Sequence, residues 1–192
     1  LPILQWRLRD QDYRVHGHGE RFVIGGATVS FHPAGHVLGS TQVRIEAGGE
    51  TWVLSGDFKR DHDPTCPPFE VLKCDVFITE ATFGLPVYRW PATAGVARDI
   101  VSWRQECEAN GEAAILYCYA LGKAQRVLAE LAAYTDRPAW LHGAVDAGVQ
   151  VYRTAGVAML DTCRVADEPR GADFAGELVI APPSAAGSPW VR

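Results

Sequence analysis

Two glycine pairs govern what the first part of this chain can become. Gly25-Gly26 separates residues 21–24 from 27–32, and Gly48-Gly49 separates 41–47 from 50–54. The flanking runs alternate in hydropathy with the period of strands, and a two-residue glycine turn suits the twist of an antiparallel pair. Two β-hairpins are therefore predicted, followed by a proline-rich polar loop over 56–70 and a short strand over 76–79. The period changes after Pro91: Val96, Ile100, Val101, Trp103 and Cys107 recur at helical spacing. Strands at 113–118, 139–141, 157–160 and 178–181 then alternate with helices at 122–134 and 144–154. That alternation predicts a three-layer α/β unit with a mainly parallel sheet. The break is expected at residues 85–91, where Pro86 and Pro91 interrupt the pattern, giving domains 1–88 and 89–192.

Composition sets bounds on function. A chain of 192 residues with 47% hydrophobic and 21% charged side chains can bury a proper core. The net charge of −5 argues against coating nucleic acid by bulk electrostatics, although local cations and a metal can still hold phosphate on an acidic protein. Five cysteines without a Cys-x-x-Cys pair point to reduced thiols and a cytoplasmic protein. No apolar run reaches the ~20 residues of a membrane span, so a soluble protein is expected. The chain starts at Leu1 without methionine and stops at Arg192 without an evident terminal element, as a fragment would.

Three side chains stand where strands end. His36 follows the second strand, in Gly35-His36-Val37-Leu38-Gly39-Ser40, and Asp57 follows the fourth, in Ser55-Gly56-Asp57. Their separation of about twenty residues is one hairpin with its turns, which returns both to one edge. An imidazole nitrogen beside a carboxylate oxygen suits zinc or manganese better than calcium. Glu80 follows the strand at 76–79. Taken singly, each has an ordinary alternative: a histidine held in a turn, an aspartate forming one, a surface glutamate.

Taken together they carry a resemblance. Gly35-His36-Val37-Leu38-Gly39-Ser40, then Ser55-Gly56-Asp57-Phe58, then Asp75-Val76-Phe77-Ile78-Thr79-Glu80-Ala81-Thr82-Phe83-Gly84 resemble successive motifs of the metallo-β-lactamase superfamily in its β-CASP nuclease branch. His32-Pro33-Ala34, Asp63-Pro64-Thr65-Cys66, Tyr119-Ala120-Leu121-Gly122-Lys123 and His142-Gly143-Ala144 are similar to the bacterial exonucleases associated with ATP-dependent DNA ligases, often named after mRNA 3′-end processing factors. The resemblance implies a partial αββα metallo-β-lactamase domain followed by a β-CASP domain. It implies two zinc ions, with manganese as the alternative, His36 as a ligand and Asp57 as a carboxylate bridging the pair. Glu80 would orient a histidine that protonates the leaving oxygen. The implied activity is hydrolysis of phosphodiester bonds in DNA during ligase-associated repair, with a DNA ligase and a helicase as partners.

The superfamily's His-x-His-x-Asp-His signature does not occur here. His16-Gly17-His18 has only its first two histidines, at the wrong distance from His36, and both are expected to be exposed loop residues. The resemblance places the signature before Leu1 and the branch's late histidines after Arg192, so the 192 residues alone are expected to be inactive. His142 reads as a helix-start residue. Lys123, at a strand-to-helix turn, is either a phosphate contact or a solvated lysine. Ser184 and Ser188 lie in a small-residue loop that resembles the family's substrate-facing loop and equally suits an ordinary turn. Two rivals stand beside the DNA nuclease: an RNA-processing nuclease, and a non-catalytic partner subunit that keeps the fold.

Overall fold

A computed structural model of the chain describes residues 1–9, 11–91 and 93–191. It divides into two compact units, Leu1–Arg89 and Trp90–Arg192. The first opens with a short helix α1 (Pro2–Leu8) that no sequence pattern announces. Five strands follow: β1 (Arg21–Ile24), β2 (Ala27–Pro33), β3 (Thr41–Ala47), β4 (Glu50–Gly56) and β5 (Val76–Thr79). They pair in sequence order, the first three pairs antiparallel and β4–β5 parallel. Gly25, Gly26, Gly48 and Gly49 all take positive φ, which is why the hairpin turns are glycine pairs.

This topology makes β2, β4 and β5 run in one direction, so their C-terminal ends lie on one edge of the sheet. Residues opposite one another share a face. Ser30, Gln42, Val53 and Ser55 are buried on one of them. The loop over residues 57–75 packs against that face, with Phe58 between Phe69 (5.1 Å) and Phe77 (6.1 Å). Trp52, Leu54 and Ile78 project from the opposite face and remain 36–45% exposed.

The second unit is a parallel sheet with strands β6 (Ala114–Tyr117), β7 (Ala139–Leu141), β8 (Thr162–Arg164) and β9 (Leu178–Ala181) in the order β6-β9-β7-β8. Helix α2 (Thr93–Ala109) leads into β6, while α3 (Lys123–Leu131) and α4 (Gly143–Thr154) are the crossovers to β7 and β8. Ala124, Leu128 and Leu131 recur on one stripe of α3 and are fully buried, and each leucine contributes about 1.5–3 kcal/mol. They join Leu141, Val145, Val149, Leu178 and Ile180 in one core. Arg104 of α2 is buried, and its guanidinium donates to the carbonyls of Gly176 (3.2 Å) and Arg137 (3.2 Å) and pairs with Glu177. Parallel pairing in an α/β unit is as expected.

One strand is displaced from its expected place. Residues 157–160 are apolar but unpaired in the sheet: Val157 N–H donates to Tyr152 (3.1 Å) and Leu160 N–H to Leu128 (3.1 Å), both helical carbonyls. This run is a plug at the ends of α3 and α4, with Leu160 4% exposed, and β8 begins only at Thr162. Apolar character reported burial there, and backbone pairing was decided by where α4 ends. Helix α3 also stops at Leu131, three residues before its expected end, in a run of turns.

Candidate metal centre

The shared edge of β2, β4 and β5 carries the three side chains. His36 lies in the loop from β2 to β3, Asp57 directly follows β4, and Glu80 directly follows β5. Thr79 pairs with Gly56, so the two acids leave the sheet at neighbouring positions. Nε2 of His36 stands 3.6 Å from Oδ2 of Asp57, and both side chains are open to solvent, at 43% and 68% exposure. Two ligands of one zinc ion, each at about 2.0–2.2 Å, lie about 3–4 Å apart. The pair therefore has the spacing and the mixed nitrogen–oxygen chemistry of two ligands sharing an ion. Among the described residues no group of three or more His, Cys, Asp or Glu side chains is placed to hold a metal.

Local bonding fixes His36. The Ser40 hydroxyl accepts from the backbone N–H of His36 (3.0 Å) and of Val37 (3.1 Å), which closes the turn from within. Gly35, at φ 70°, lets the turn lie flat on the loop that follows Asp57: a Cβ there would stand 2.4 Å from the Lys59 carbonyl oxygen and 2.8 Å from the Phe69 nitrogen. Lys59 N–H donates to Ala34 (3.0 Å), Glu70 N–H to Pro33 (3.1 Å), and the buried Gln42 amide to both Pro33 (2.9 Å) and Glu70 (2.7 Å). The segments carrying His36 and Asp57 are thus stitched together by backbone.

Glu80 is held as an anion. The Thr82 hydroxyl and then the Thr82 N–H, at 2.7 Å, keep its carboxyl below the usual glutamate range.

The remaining candidates lie elsewhere. Lys123 opens α3 and is exposed, at the C-terminal edge of the second unit's sheet. Two of the N–H groups at that helix start are already taken, Gly122 by the Gln125 side chain (2.7 Å) and Ala124 by the Tyr119 carbonyl (3.1 Å). Ser184 is exposed after β9, while the Ser188 hydroxyl donates to Ala185 (2.7 Å) and accepts from Trp190 N–H (3.3 Å). His142 caps α4, its Nδ1 accepting from Ala144 N–H (3.1 Å). His16 is not the exposed loop residue expected: it stacks on Phe22 at 3.8 Å and pairs with Glu20. An apolar sheet face and an acid four residues on attract its ring. Sequence reasoning missed the Ser40 and Thr82 contacts, although a hydroxyl four residues after the histidine, and another two after the acid, are the patterns of local side-chain-to-backbone bonding.

Comparison with protein-family models finds no match. Among curated proteins, the chain is 35% identical over 165 residues to a "Probable DNA ligase" of Opitutus terrae, covering 85% of this chain and 16% of that protein. It is 31% identical over 111 residues to an "RNase J-like protein" of Methanocaldococcus jannaschii, covering 57% of this chain and 26% of that one. It is 35% identical over 122 residues to "Cleavage and polyadenylation specificity factor subunit 3" of Dictyostelium discoideum, covering 61% and 15%. The chain spans about a quarter or less of the length of these relatives.

Proposed function

The chain belongs to the β-CASP branch of the metallo-β-lactamase superfamily, a family of metal-dependent nucleases, and from that membership we propose that it is part of a zinc-dependent nuclease that hydrolyses phosphodiester bonds of DNA. In this reading residues 1–88 are a portion of the metallo-β-lactamase domain and 89–192 a portion of the β-CASP domain. The observation that carries it is the 3.6 Å approach of His36 Nε2 to Asp57 Oδ2, with Glu80 leaving the sheet at the position beside Asp57, where Thr79 pairs with Gly56.

His36 and Asp57 would hold the metal, His36 through its imidazole nitrogen and Asp57 through its carboxylate. A bound zinc pair supplies Lewis-acid polarisation of the phosphodiester and acidifies water. Glu80, kept ionised by Thr82, can only accept hydrogen bonds, which suits it to orient a proton donor toward the leaving oxygen. Lys123, Ser184 and Ser188 are the proposed substrate contacts of the second unit.

DNA is favoured over RNA because the relative named as a DNA ligase aligns over 85% of this chain, against 57% and 61% for the relatives whose names refer to RNA processing. The name of the DNA ligase relative supports ligase-associated repair as the proposed setting, and the five reduced cysteines support a cytoplasmic one. The test is degradation of matched labelled DNA and RNA by the longer polypeptide that carries this stretch, with Asp57→Asn as control. Loss of DNA cutting in the variant is expected. Equal cutting by wild type and variant would overturn the site, and a preference for RNA would overturn the substrate. The 192-residue chain alone is expected to cut neither.

A further inference from the structure

Beneath the His36 turn runs a chain of three side chains. Ser30 Oγ lies 3.0 Å from His32 Nε2, and His32 Nδ1 lies 3.0 Å from Glu70 Oε2. A carboxylate only accepts, so Nδ1 carries the proton toward Glu70, and Nε2 is left to pair with the Ser30 hydroxyl. The order is that of a hydrolase triad, but Ser30 is 3% exposed and paired in mid-sheet between Arg21 and Arg44, where no substrate reaches it. Nucleophilic chemistry is therefore not its use.

What the relay does is mechanical. The loop that follows Asp57 returns to β2 at Glu70. There the backbone bond from Glu70 N–H to Pro33 and the Gln42 bridge bind main chain to main chain. His32–Glu70 is a side-chain fastening of the same loop end. His32 is anchored from below by Ser30, and its side chain is only 12% exposed, so its ring has one orientation to offer. Releasing Glu70 would let the loop lift from Pro33–Gly35, the residues directly before His36.

We infer that His32 and Glu70 are a positioning pair that sets the separation of His36 from Asp57. The inference rests on the metal-site reading for its consequence, and one of its two readouts does not depend on that reading. The experiment uses the 192-residue chain and three variants. Glu70→Ala removes the acceptor. Glu70→Gln restores an acceptor oxygen without the charge. Val29→Ala weakens β2 by truncating a buried side chain on the strand face opposite Ser30 and His32.

The first readout is the ring nitrogen resonances of His36 without metal, which respond to the tautomer and hydrogen bonding of the ring and so to movement of the Asp57 carboxylate beside it. The second, made on the longer polypeptide that carries this stretch and the same variants, is the dissociation constant for Co2+ from its visible absorption. Glu70→Ala should shift the His36 ring signals and weaken Co2+ binding about tenfold, as loss of an outer support does, and Glu70→Gln should restore both. Val29→Ala should lower Tm and leave the His36 signals in place. An unmoved His36 ring in Glu70→Ala, or an equal shift in Val29→Ala, would overturn the inference. Ring shifts as expected with no saturable Co2+ binding even in the wild type would uphold the positioning pair and overturn the metal reading.

Discussion

Replacing Gly35 with alanine places a methyl group where two backbone atoms already stand. The new Cβ would lie 2.4 Å from the Lys59 carbonyl oxygen and 2.8 Å from the Phe69 nitrogen, so relief requires movement of the loop itself. The cost has two parts. An L-residue at φ 70° loses about 1–2 kcal/mol. Forcing atoms into a packed contact adds about 1–3 kcal/mol. Gly48 separates the two: its φ is 59° and nothing lies within 4 Å of its would-be Cβ, so Gly48→Ala carries only the conformational part. Gly35→Ala should therefore be destabilising by about 2–5 kcal/mol and Gly48→Ala by about 1–2. Because the chain has two units, hydrogen exchange of β2–β4 amides under mild urea is the assay, since it reads the free energy of the first unit alone. If the two variants agree within about 1 kcal/mol, the contact between the His36 turn and the loop is not as described.

Two further outcomes follow from the titrating groups. Thr82→Ala removes the hydroxyl bond to Glu80, so the carboxyl should titrate at higher pH in carbon NMR. Since Glu80 is depressed in the folded state, its contribution to stability is present above the ordinary glutamate value of 4.5 and is lost as pH falls through the folded value; an unchanged titration in Thr82→Ala would contradict the assigned cause. Burial raises the Cys118 thiol to about 11 from 9.0, partly opposed by Lys123, which lowers its thiolate fraction near pH 8 about 100-fold. Iodoacetamide should then modify the partly buried Cys66, Cys74 and Cys163 well before Cys118, and equal rates by mass spectrometry would refute that.

Much of the site was legible because turns are written locally. The glycine pairs place both hairpins, and with the hairpins they bring His36 and Asp57 to one edge, using only residues close in the chain. Glu80 was legible only as a strand-end acid; its neighbourhood depends on β5 pairing parallel to β4, and nothing in residues 57–75 encodes that choice locally. The same limit hid the His32–Glu70 contact, which joins residues 38 positions apart. In the second unit, the run at 157–160 has strand composition yet gives its N–H groups to helical carbonyls, since hydropathy reports burial and says nothing of the hydrogen-bonding partner. Helix α1 carries no buried residue and so left no periodic mark.

The mixed pairing of the first sheet also dictates an order of assembly. The β1–β2 and β3–β4 contacts close across two-residue turns, so the corner holding His36 and Asp57 can form quickly from neighbouring chain. Strand β5 must wait for residues 57–75 to fold back before it can dock alongside β4, and the entropy of that long closure slows it. It is also a four-residue edge strand with three exposed residues, which makes it the first part of the sheet to fray. Glu80 is thus the last of the three side chains to arrive during folding and the first to depart on warming.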